Sequence, residues 1–261
     1  MIVIGERING MFKRVKQAIA DKDKSVIQDI ARQQVEAGAS VLDINVGPAS
    51  ADPVGTMEWL VEVAQEAVDV PLSIDSAKYE AVEAGLKVRE GKAIINSTTG
   101  HQESLDKYFE LAKAHDAGII ALNIDERGVP GDVDGRVEIA MRALESALVH
   151  DISLDDLYID PIILPVNVAQ PQAGNVLQAI AQFQFLADPP PHIVIGLSNV
   201  SQKAANKHLI DRTFLVMCIA AGLDCAIMDP LDSDLMDAMI TAELLMNKNI
   251  YCDSFLDAYR H

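Results

Sequence analysis

Short runs of apolar and β-branched residues recur along the chain, and longer segments with apolar residues every three or four positions separate them. A short apolar run bounded by turn residues is typical of a buried strand, whereas the longer spacing is typical of an amphipathic helix. The runs predict eight strands, at residues 2–5, 40–46, 71–75, 93–96, 118–123, 157–160, 193–197 and 224–228.

Helical periodicity fills the intervals between these runs. One apolar stripe comprises Met57, Leu60, Val61, Ala64, Ala67 and Val68. Such a stripe covers one face of a helix. Similar patterns predict helices at about residues 25–37, 132–150, 173–186 and 233–246.

Strands that alternate with helix-length segments predict parallel strands joined by right-handed crossovers. Eight such units within 261 residues are the size of one (β/α)₈ barrel, the TIM-barrel form of the α/β class. We therefore expect a single barrel domain over residues 1–261. A doubly wound open sheet is the alternative, but no glycine-rich turn follows the first strand to support it.

Charge and cysteine content narrow the class of protein. The formal net charge is −18, which disfavours binding to nucleic acid or to an acidic membrane surface. The three cysteines form no CxxC pair, so neither a disulfide framework nor a cysteine metal site is expected. The apolar start is too short for a signal peptide and the longest apolar run is too short for a membrane span, so we expect a cytoplasmic protein.

Polar residues stand at the ends of nearly all the predicted strands. They are Glu6, Arg7, Asn9, Asp43, Asn45, Asp75, Asn96, Asn123, Asp125, Asp160, Ser198, Asn199 and Asp229. In a barrel these ends converge on one mouth, where the catalytic residues of this fold lie. Turn formation is the alternative explanation for any single Asp or Asn, but it does not account for all eight strand ends together.

The residue types at these ends restrict the chemistry. His and Cys do not cluster there, so no bound metal is expected. The chain has no GxxxxGK[ST] phosphate loop, and no strand ends in a lysine that could form a Schiff base. Carboxylates mixed with amides suit a heterocycle whose edge alternates donors and acceptors, such as a 2-amino-pyrimidinone.

Several segments resemble the pterin-binding family. They are residues 5–10 (GERING), 42–48 (LDINVGP), 74–76 (IDS), 95–98 (INST) and 158–161 (YIDP). Residues 164–170 (LPVNVAQ), 196–202 (GLSNVSQ) and 251–254 (YCDS) are similar to the methyltetrahydrofolate:corrinoid/iron–sulfur protein methyltransferases within that family.

The resemblance implies transfer of the N5 methyl group between methyltetrahydrofolate or tetrahydrofolate and a corrinoid (cobalamin) that a partner protein carries. It implies that Asp75, Asn96 and Asp160 hold the pterin, with Asp160 accepting from the pyrimidine amino group. By the same resemblance Asn199 faces N5 and, together with Asp75, is catalytic. The further binding candidates are Gln202, Asp43 and Asn123. A homodimer is also implied.

Two other functions stay open from the sequence. A dihydropteroate synthase would share the Asp and Asn strand ends, but it would carry a lysine after the seventh strand, where this chain has Ser198-Asn199. A non-catalytic folate-binding subunit would bind the folate without transferring its methyl group. Asn199 has a structural alternative as well, because it could cap the helix that follows. The physiological direction and the corrinoid partner are not fixed by the sequence.

Overall fold

The computed structural model describes residues 1–48 and 50–260, so two positions of the predicted domain, Ala49 and His261, lie outside the described part. Eight parallel strands form a closed barrel in chain order. The strands are β1 (Ile2–Asn9), β2 (Val41–Asn45), β3 (Leu72–Asp75), β4 (Ala93–Thr99), β5 (Gly118–Leu122), β6 (Leu157–Asp160), β7 (His192–Gly196) and β8 (Cys225–Met228). Pairing of Ile2 with Cys225 and of Gly5 with Met228 joins β1 to β8. The predicted barrel is confirmed, and the open sheet is wrong.

Helices surround the barrel. They are α1 (Lys13–Asp21), α2 (Lys24–Glu36), α3 (Pro53–Gln65), α4 (Tyr79–Val88), α5 (Gln102–Ala114), α6 (Val133–Val149), α7 (Val166–Ala169), α8 (Gln172–Phe183), α9 (Lys207–Ala221), α10 (Ser233–Leu245) and α11 (Phe255–Tyr259). The four helices predicted by residue range are confirmed to within three residues at each end. No helix in the part of the chain that the structure describes is both long and apolar enough to cross a membrane.

Carboxylate caps and the apolar stripe explain where α3 forms. Asp52 accepts a hydrogen bond from the Gly55 amide at 3.0 Å, which satisfies one of the unpaired donors at the helix start. Met57 and Leu60 of the predicted stripe are fully buried against the barrel. The helix ends at Gln65, so the last two members of the stripe, Ala67 and Val68, lie beyond it, partly buried.

β1 and β4 continue past their predicted ends. The ladder between β1 and β2 shifts register between Gly5 and Ile8, and the ladder between β4 and β5 shifts between Asn96 and Thr98. Ile8 is the only apolar residue in β1 after Gly5, and β4 continues after the shift with Thr98 and Thr99, so no apolar run marks either extension. Bulges of this kind redirect side chains and are frequent next to active sites. Glu6 and Asn9 therefore belong to β1 and do not form a loop after it.

The barrel interior changes from apolar to polar along the strands. A buried cluster closes its lower part, and its members are Ile4, Val41, Ile94, Ile120, Tyr158, Val194 and Cys225. Strand side chains on the same face recur every second residue. Two residues beyond Val41, Ile94 and Tyr158 stand Asp43, Asn96 and Asp160, respectively. The apolar cluster is therefore the base on which a polar layer rests at the mouth.

Candidate active site

Asp43 lies at the centre of the polar layer. Its carboxyl is almost fully buried, and its Oδ1 accepts hydrogen bonds from Ser73 Oγ at 2.7 Å and from Asn96 Nδ2 at 3.0 Å. Three strands therefore meet at one oxygen. Because the Asn96 nitrogen is bound to Asp43, the amide of Asn96 is held in one orientation at the mouth.

Asp43 and Asp75 form a coupled pair of carboxyl groups. Burial raises the pKa of Asp43 well above its ordinary value, and the charge of Asp75 raises it further. Burial also raises the pKa of Asp75, although the hydrogen bond from Asn45 opposes that rise. Two neighbouring buried carboxyls cannot both ionise readily, so one proton is shared. Asp43 is the more buried partner, and the rise in its pKa is the larger of the two.

Asp75 also forms part of the wall of an open depression of about 310 Å³ at the rim of the mouth. Met11, Pro48 and Lys78 lie on other sides of it. One face of the Asp75 carboxyl group is thus bound to the barrel interior, and the other is within reach of a ligand. This arrangement fits the two roles predicted for it, in binding and in proton transfer, which stay predictions.

Asp160 ends β6 with its carboxyl group nearly buried, and its Oδ1 accepts from the Ile162 amide at 2.7 Å. Burial raises the pKa of Asp160 to about 7, while amide hydrogen bonds from Ile162 and Gly196 and the charge of Arg136 act in the opposite direction. A carboxyl group with this pKa changes charge near neutral pH. It can therefore gain ionisation when a ligand brings N–H donors to it.

Asn199 lies at the mouth, in the short 3₁₀ turn Leu197–Asn199 that follows β7. Its side chain is exposed and makes no hydrogen bond within residues 1–48 and 50–260. Gly196 leaves space for it, since a Cβ at that position would lie 2.8 Å from Asn199 Nδ2. The helix-cap alternative is wrong, because α9 starts at Lys207 and its N-cap is Asn206.

The remaining predicted residues occupy different surroundings. Gln202 is exposed on the loop after Asn199, and its backbone N–H donates to the Asn199 backbone carbonyl at 3.3 Å. Asn123 is fully buried, its Nδ2 donates to the Arg136 carbonyl, and its Oδ1 has no partner among the described residues. The structure brings Asp43, Asp75 and Asn96 into direct contact, whereas the Asn123 amide nitrogen is directed toward α6. The binding roles predicted for Gln202 and Asn123 stay predictions.

Two side-chain contacts join β1 to the segments that follow β7 and β8. Ser198 Oγ donates to Glu6 Oε2 at 2.9 Å, directly beside Asn199, and burial raises the pKa of Glu6. Arg7 forms an ion pair with Asp229, with Nη1 and Oδ2 3.3 Å apart. These contacts tie the loops after β7 and β8 to β1. The first strand therefore helps to shape the mouth.

Sequence reasoning missed Ser73 and Arg136. Ser73 stands two residues before Asp75 on the same face of β3, so period-two alternation could have revealed it. Arg136 occupies the buried stripe of α6 together with Ile139, Ala140 and Ala143. A charged residue at a core position of a helical stripe was the available signal.

The structure describes no group of three or more His, Cys, Asp and Glu side chains able to hold a metal ion within residues 1–48 and 50–260. Cys218 and Cys225 are buried and Cys252 is exposed, and all three are free.

Solved structures share this architecture. A dihydropteroate synthase from Coxiella burnetii, solved with pteroic acid, superposes with a TM-score of 0.74 at 14% identity over 95% of this chain and 94% of that one. A dihydropteroate synthase from Yersinia pestis gives a TM-score of 0.67 at 15% identity, with 94% of each chain covered. At these identities the likeness shows the fold.

Sequence comparison shows similarity to known proteins beyond the shared fold. The methylcorrinoid:tetrahydrofolate methyltransferase of Eubacterium limosum is 30% identical over 262 residues, which cover 100% of this chain and 96% of that protein. Methionine synthase of Mycobacterium leprae is 28% identical over 87% of this chain, which spans only 20% of that longer protein. The model of the family described as "Pterin binding enzyme" matches residues 12–229. The chain therefore belongs to the pterin-binding enzyme family.

Proposed function

We propose that this protein is a methyltransferase that moves a methyl group between N5 of a reduced folate and the cobalt of a corrinoid carried by a partner protein. The observation that carries the proposal is the similarity to a methylcorrinoid:tetrahydrofolate methyltransferase along the whole chain. The polar layer at the barrel mouth supports it, because carboxyl and amide groups there suit the donor and acceptor edge of a pterin.

Asp160 accepts the N–H donors of the pyrimidine edge in this proposal. Its carboxyl group is already oriented by the Ile162 amide, so little freedom is lost when the pterin binds. Asn96 is oriented in the same way by Asp43. Asp75 faces the ring from the other side of the layer. Three groups that are held before the ligand arrives favour one pose of the pterin, with N5 toward β7.

The transfer requires a change of charge at N5. In one direction Co(I) attacks the methyl carbon with its electron pair, the C–N5 bond breaks, and N5 takes up a proton. In the other direction N5 attacks the methyl carbon of methyl-Co(III), the Co–C bond pair returns to cobalt as Co(I), and N5 loses a proton. Both directions need groups that exchange or stabilise a proton at N5 without forming a covalent bond to the enzyme.

Asn199 and Asp75 supply these groups. The exposed Asn199 amide donates to or accepts from N5, and its hydrogen bond strengthens as charge develops there. Asp75 exchanges the proton through water, and Asp43 keeps a second proton close behind it. The remaining acceleration comes from holding the folate in line with the approaching cobalt.

The partner approaches the mouth. Large apolar side chains are exposed on the loops and helix starts that surround it, and they include Met11, Val54, Val168, Leu209 and Leu231. Exposed apolar groups around a polar site are typical of a surface that another protein covers. They suit a corrinoid protein that must place its cofactor over the folate. We also propose that the protein needs no resident metal.

Anaerobic stopped-flow spectroscopy tests the function. Methyltetrahydrofolate is mixed with Co(I) cobalamin or a reduced corrinoid protein, and tetrahydrofolate is mixed with the methylated forms. The proposal expects enzyme-dependent interconversion of the Co(I) and methyl-Co(III) spectra. Folate binding without transfer to any corrinoid would instead support a non-catalytic subunit. Condensation of a pterin pyrophosphate with an aromatic amine would support a pterin synthase. The rates in the two directions identify the favoured donor.

A further inference from the structure

A fully buried guanidinium lies behind the candidate site. Arg136 is entirely inaccessible to solvent, although it carries a charge. Its Nε donates to the Pro161 carbonyl at 2.8 Å, and its Nη2 lies 3.4 Å from the Ile162 carbonyl oxygen. Its other acceptors are the Asp132 carbonyl at 3.0 Å and Gln172 Oε1 at 2.8 Å. The four acceptors are three backbone carbonyls and one amide, and none is a carboxylate.

This arrangement is costly for a structural arginine. A buried charge normally requires an opposite charge beside it, and neutral acceptors compensate only part of the lost hydration. An apolar side chain would fill the stripe of α6 at lower cost. Burial accordingly lowers the pKa of Arg136, and the charges of Asp132 and Asp160 oppose that effect. The negative charge of Asp160 favours the charged form of Arg136 and so offsets part of the cost of its burial.

The segment that Arg136 holds is strained. Ile162 has φ of +57°, which is a rare conformation for a β-branched residue. In this conformation its amide is directed back to Asp160 Oδ1. Without the two carbonyl contacts to Arg136, Ile162 would be expected to relax to negative φ and carry its amide away from Asp160. The guanidinium therefore secures the peptide that orients the carboxyl group.

We propose that Arg136 is a positioning residue for folate: by holding the carbonyls of Pro161 and Ile162, it keeps the Asp160 carboxyl group oriented. The charge of Arg136 also lowers the pKa of Asp160. The inference rests on the proposed function, since it takes Asp160 to be the group that binds the pyrimidine edge. Arg136 does not touch the substrate. It acts through the loop after β6 and through its charge.

The test compares two arginines of the same helix. Arg142 also lies on α6, where it donates to the Gly100 carbonyl at 2.8 Å and pairs with Asp125, and none of its polar contacts among the described residues involves Asp160 or the segment that follows β6. Arg136→Gln and the matched control Arg142→Gln remove the same charge from α6. Both variants are measured for folate affinity by titration calorimetry across pH. Their carboxyl groups are titrated by carbon-13 NMR without ligand, with Asp160→Asn assigning the Asp160 signal.

Arg136→Gln is expected to weaken folate binding about tenfold at neutral pH, the scale of one lost hydrogen bond in a buried site. It is also expected to move the midpoint of the Asp160 titration upward, whereas Arg142→Gln leaves both quantities unchanged. Arg136→Lys keeps the charge without the two-carbonyl geometry, so we expect it to keep the midpoint and not to restore the affinity.

Parental affinity and an unchanged Asp160 midpoint in folded Arg136→Gln would overturn the inference. If that variant does not fold, Gln172→Leu decides, because it removes one acceptor that fixes the Arg136 guanidinium but keeps the charge. It should weaken folate binding by less than Arg136→Gln and leave the Asp160 midpoint in place. Parental folate affinity in folded Gln172→Leu would then overturn the inference. The NMR titration needs no folate, so a failure of the proposed function would appear separately, as absence of folate binding by the parent protein.

Discussion

Asn96 Nδ2 donates to Asp43 Oδ1 at 3.0 Å and joins the fourth strand of the barrel to the second across its interior. The bond leaves the Asn96 amide only one orientation, with its oxygen directed away from Asp43. The same Asp43 oxygen accepts a hydrogen bond from Ser73 Oγ, and the Asp43 carboxyl group is coupled to that of Asp75. A ligand that enters the mouth therefore meets amide and carboxyl groups that the barrel has already oriented.

Folate affinity should rise with pH through about 7, the pKa of Asp160 that burial produces. N–H donors of the pterin prefer the ionised carboxylate, so binding below this pH must first remove a proton. The loss approaches tenfold per pH unit below the midpoint. Calorimetry in buffers of different ionisation enthalpy should detect proton release near neutral pH. Asp160→Asn should bind weakly with no such dependence, and a flat profile in the parent would contradict the assignment.

Asn199→Ala should depress methyl transfer far more than folate binding. Losing one oriented hydrogen-bonding group costs about 10²–10³ in rate, whereas binding should fall by only about 1 kcal/mol. Single-turnover transfer with Co(I) cobalamin separates the two quantities. The comparison variant is Gln202→Ala, which removes an exposed side-chain amide predicted only for binding and should lower folate affinity without slowing the transfer step. Transfer at the parental rate in Asn199→Ala would remove it from the mechanism.

Asp43→Asn should preserve the fold, because an amide reproduces a protonated carboxyl group. It can accept from Ser73 and Asn96 and donate toward Asp75. Because the pKa of Asp43 is raised on folding, the contribution of this group to stability is fully present below the ordinary aspartate pKa and is lost as pH rises through the folded pKa. We therefore expect the free energy of unfolding of Asp43→Asn, measured with urea, to increase relative to that of the parent as pH rises.

Asp43→Leu is the matched variant for this prediction. It leaves the two donors without an acceptor and should cost about 1–3 kcal/mol for each. A loss of that size in Asp43→Asn at pH 6 would instead indicate that Asp43 is ionised.

A contact at the lower end of the barrel, where the strands begin, should also contribute less to stability as pH rises, for a different reason. His192 Nδ1 lies 2.6 Å from Asp224 Oδ2, and this contact raises the pKa of His192. Its contribution to stability is present below the unfolded histidine pKa of about 6.5 and is lost as pH rises through the folded pKa. Asp224 is 39% exposed, so solvent limits the effect to about 1 kcal/mol or less.

Thermal unfolding of His192→Gln should therefore show a smaller loss of stability between pH 6 and 8 than the parent. Methyl transfer should be unaffected, because this end of a barrel serves stability and not chemistry. A reduced transfer rate in the folded variant would contradict that division.

The assembly predicted from the resemblance is a homodimer. The helical faces of a barrel leave room for a two-fold contact. Light scattering at micromolar concentration should then give twice the chain mass of 28.3 kDa. A mass near that of one chain would contradict the prediction.

The sequence by itself determined the architecture and the residue types of the site. Eight apolar runs, each followed by an amphipathic segment, can close only through repeated parallel crossovers, and local periodicity carries that information. The strand-end residues Asp43, Asn96 and Asp160 were visible for the same reason, since each stands two positions after an interior apolar residue.

Only the tertiary structure decided how these residues act on one another. The register shifts in β1 and β4 depend on pairing with neighbouring strands, and Ile8 alone, between polar residues, did not mark the extension of β1 to Asn9. The shared proton of Asp43 and the pKa of Asp160 follow from burial and neighbouring charge, which spacing along a chain does not contain. The role proposed for Arg136 depends on its contacts with the carbonyls of Pro161 and Ile162. These partners lie more than twenty residues away in the sequence, so only the packing of the folded chain brings them together.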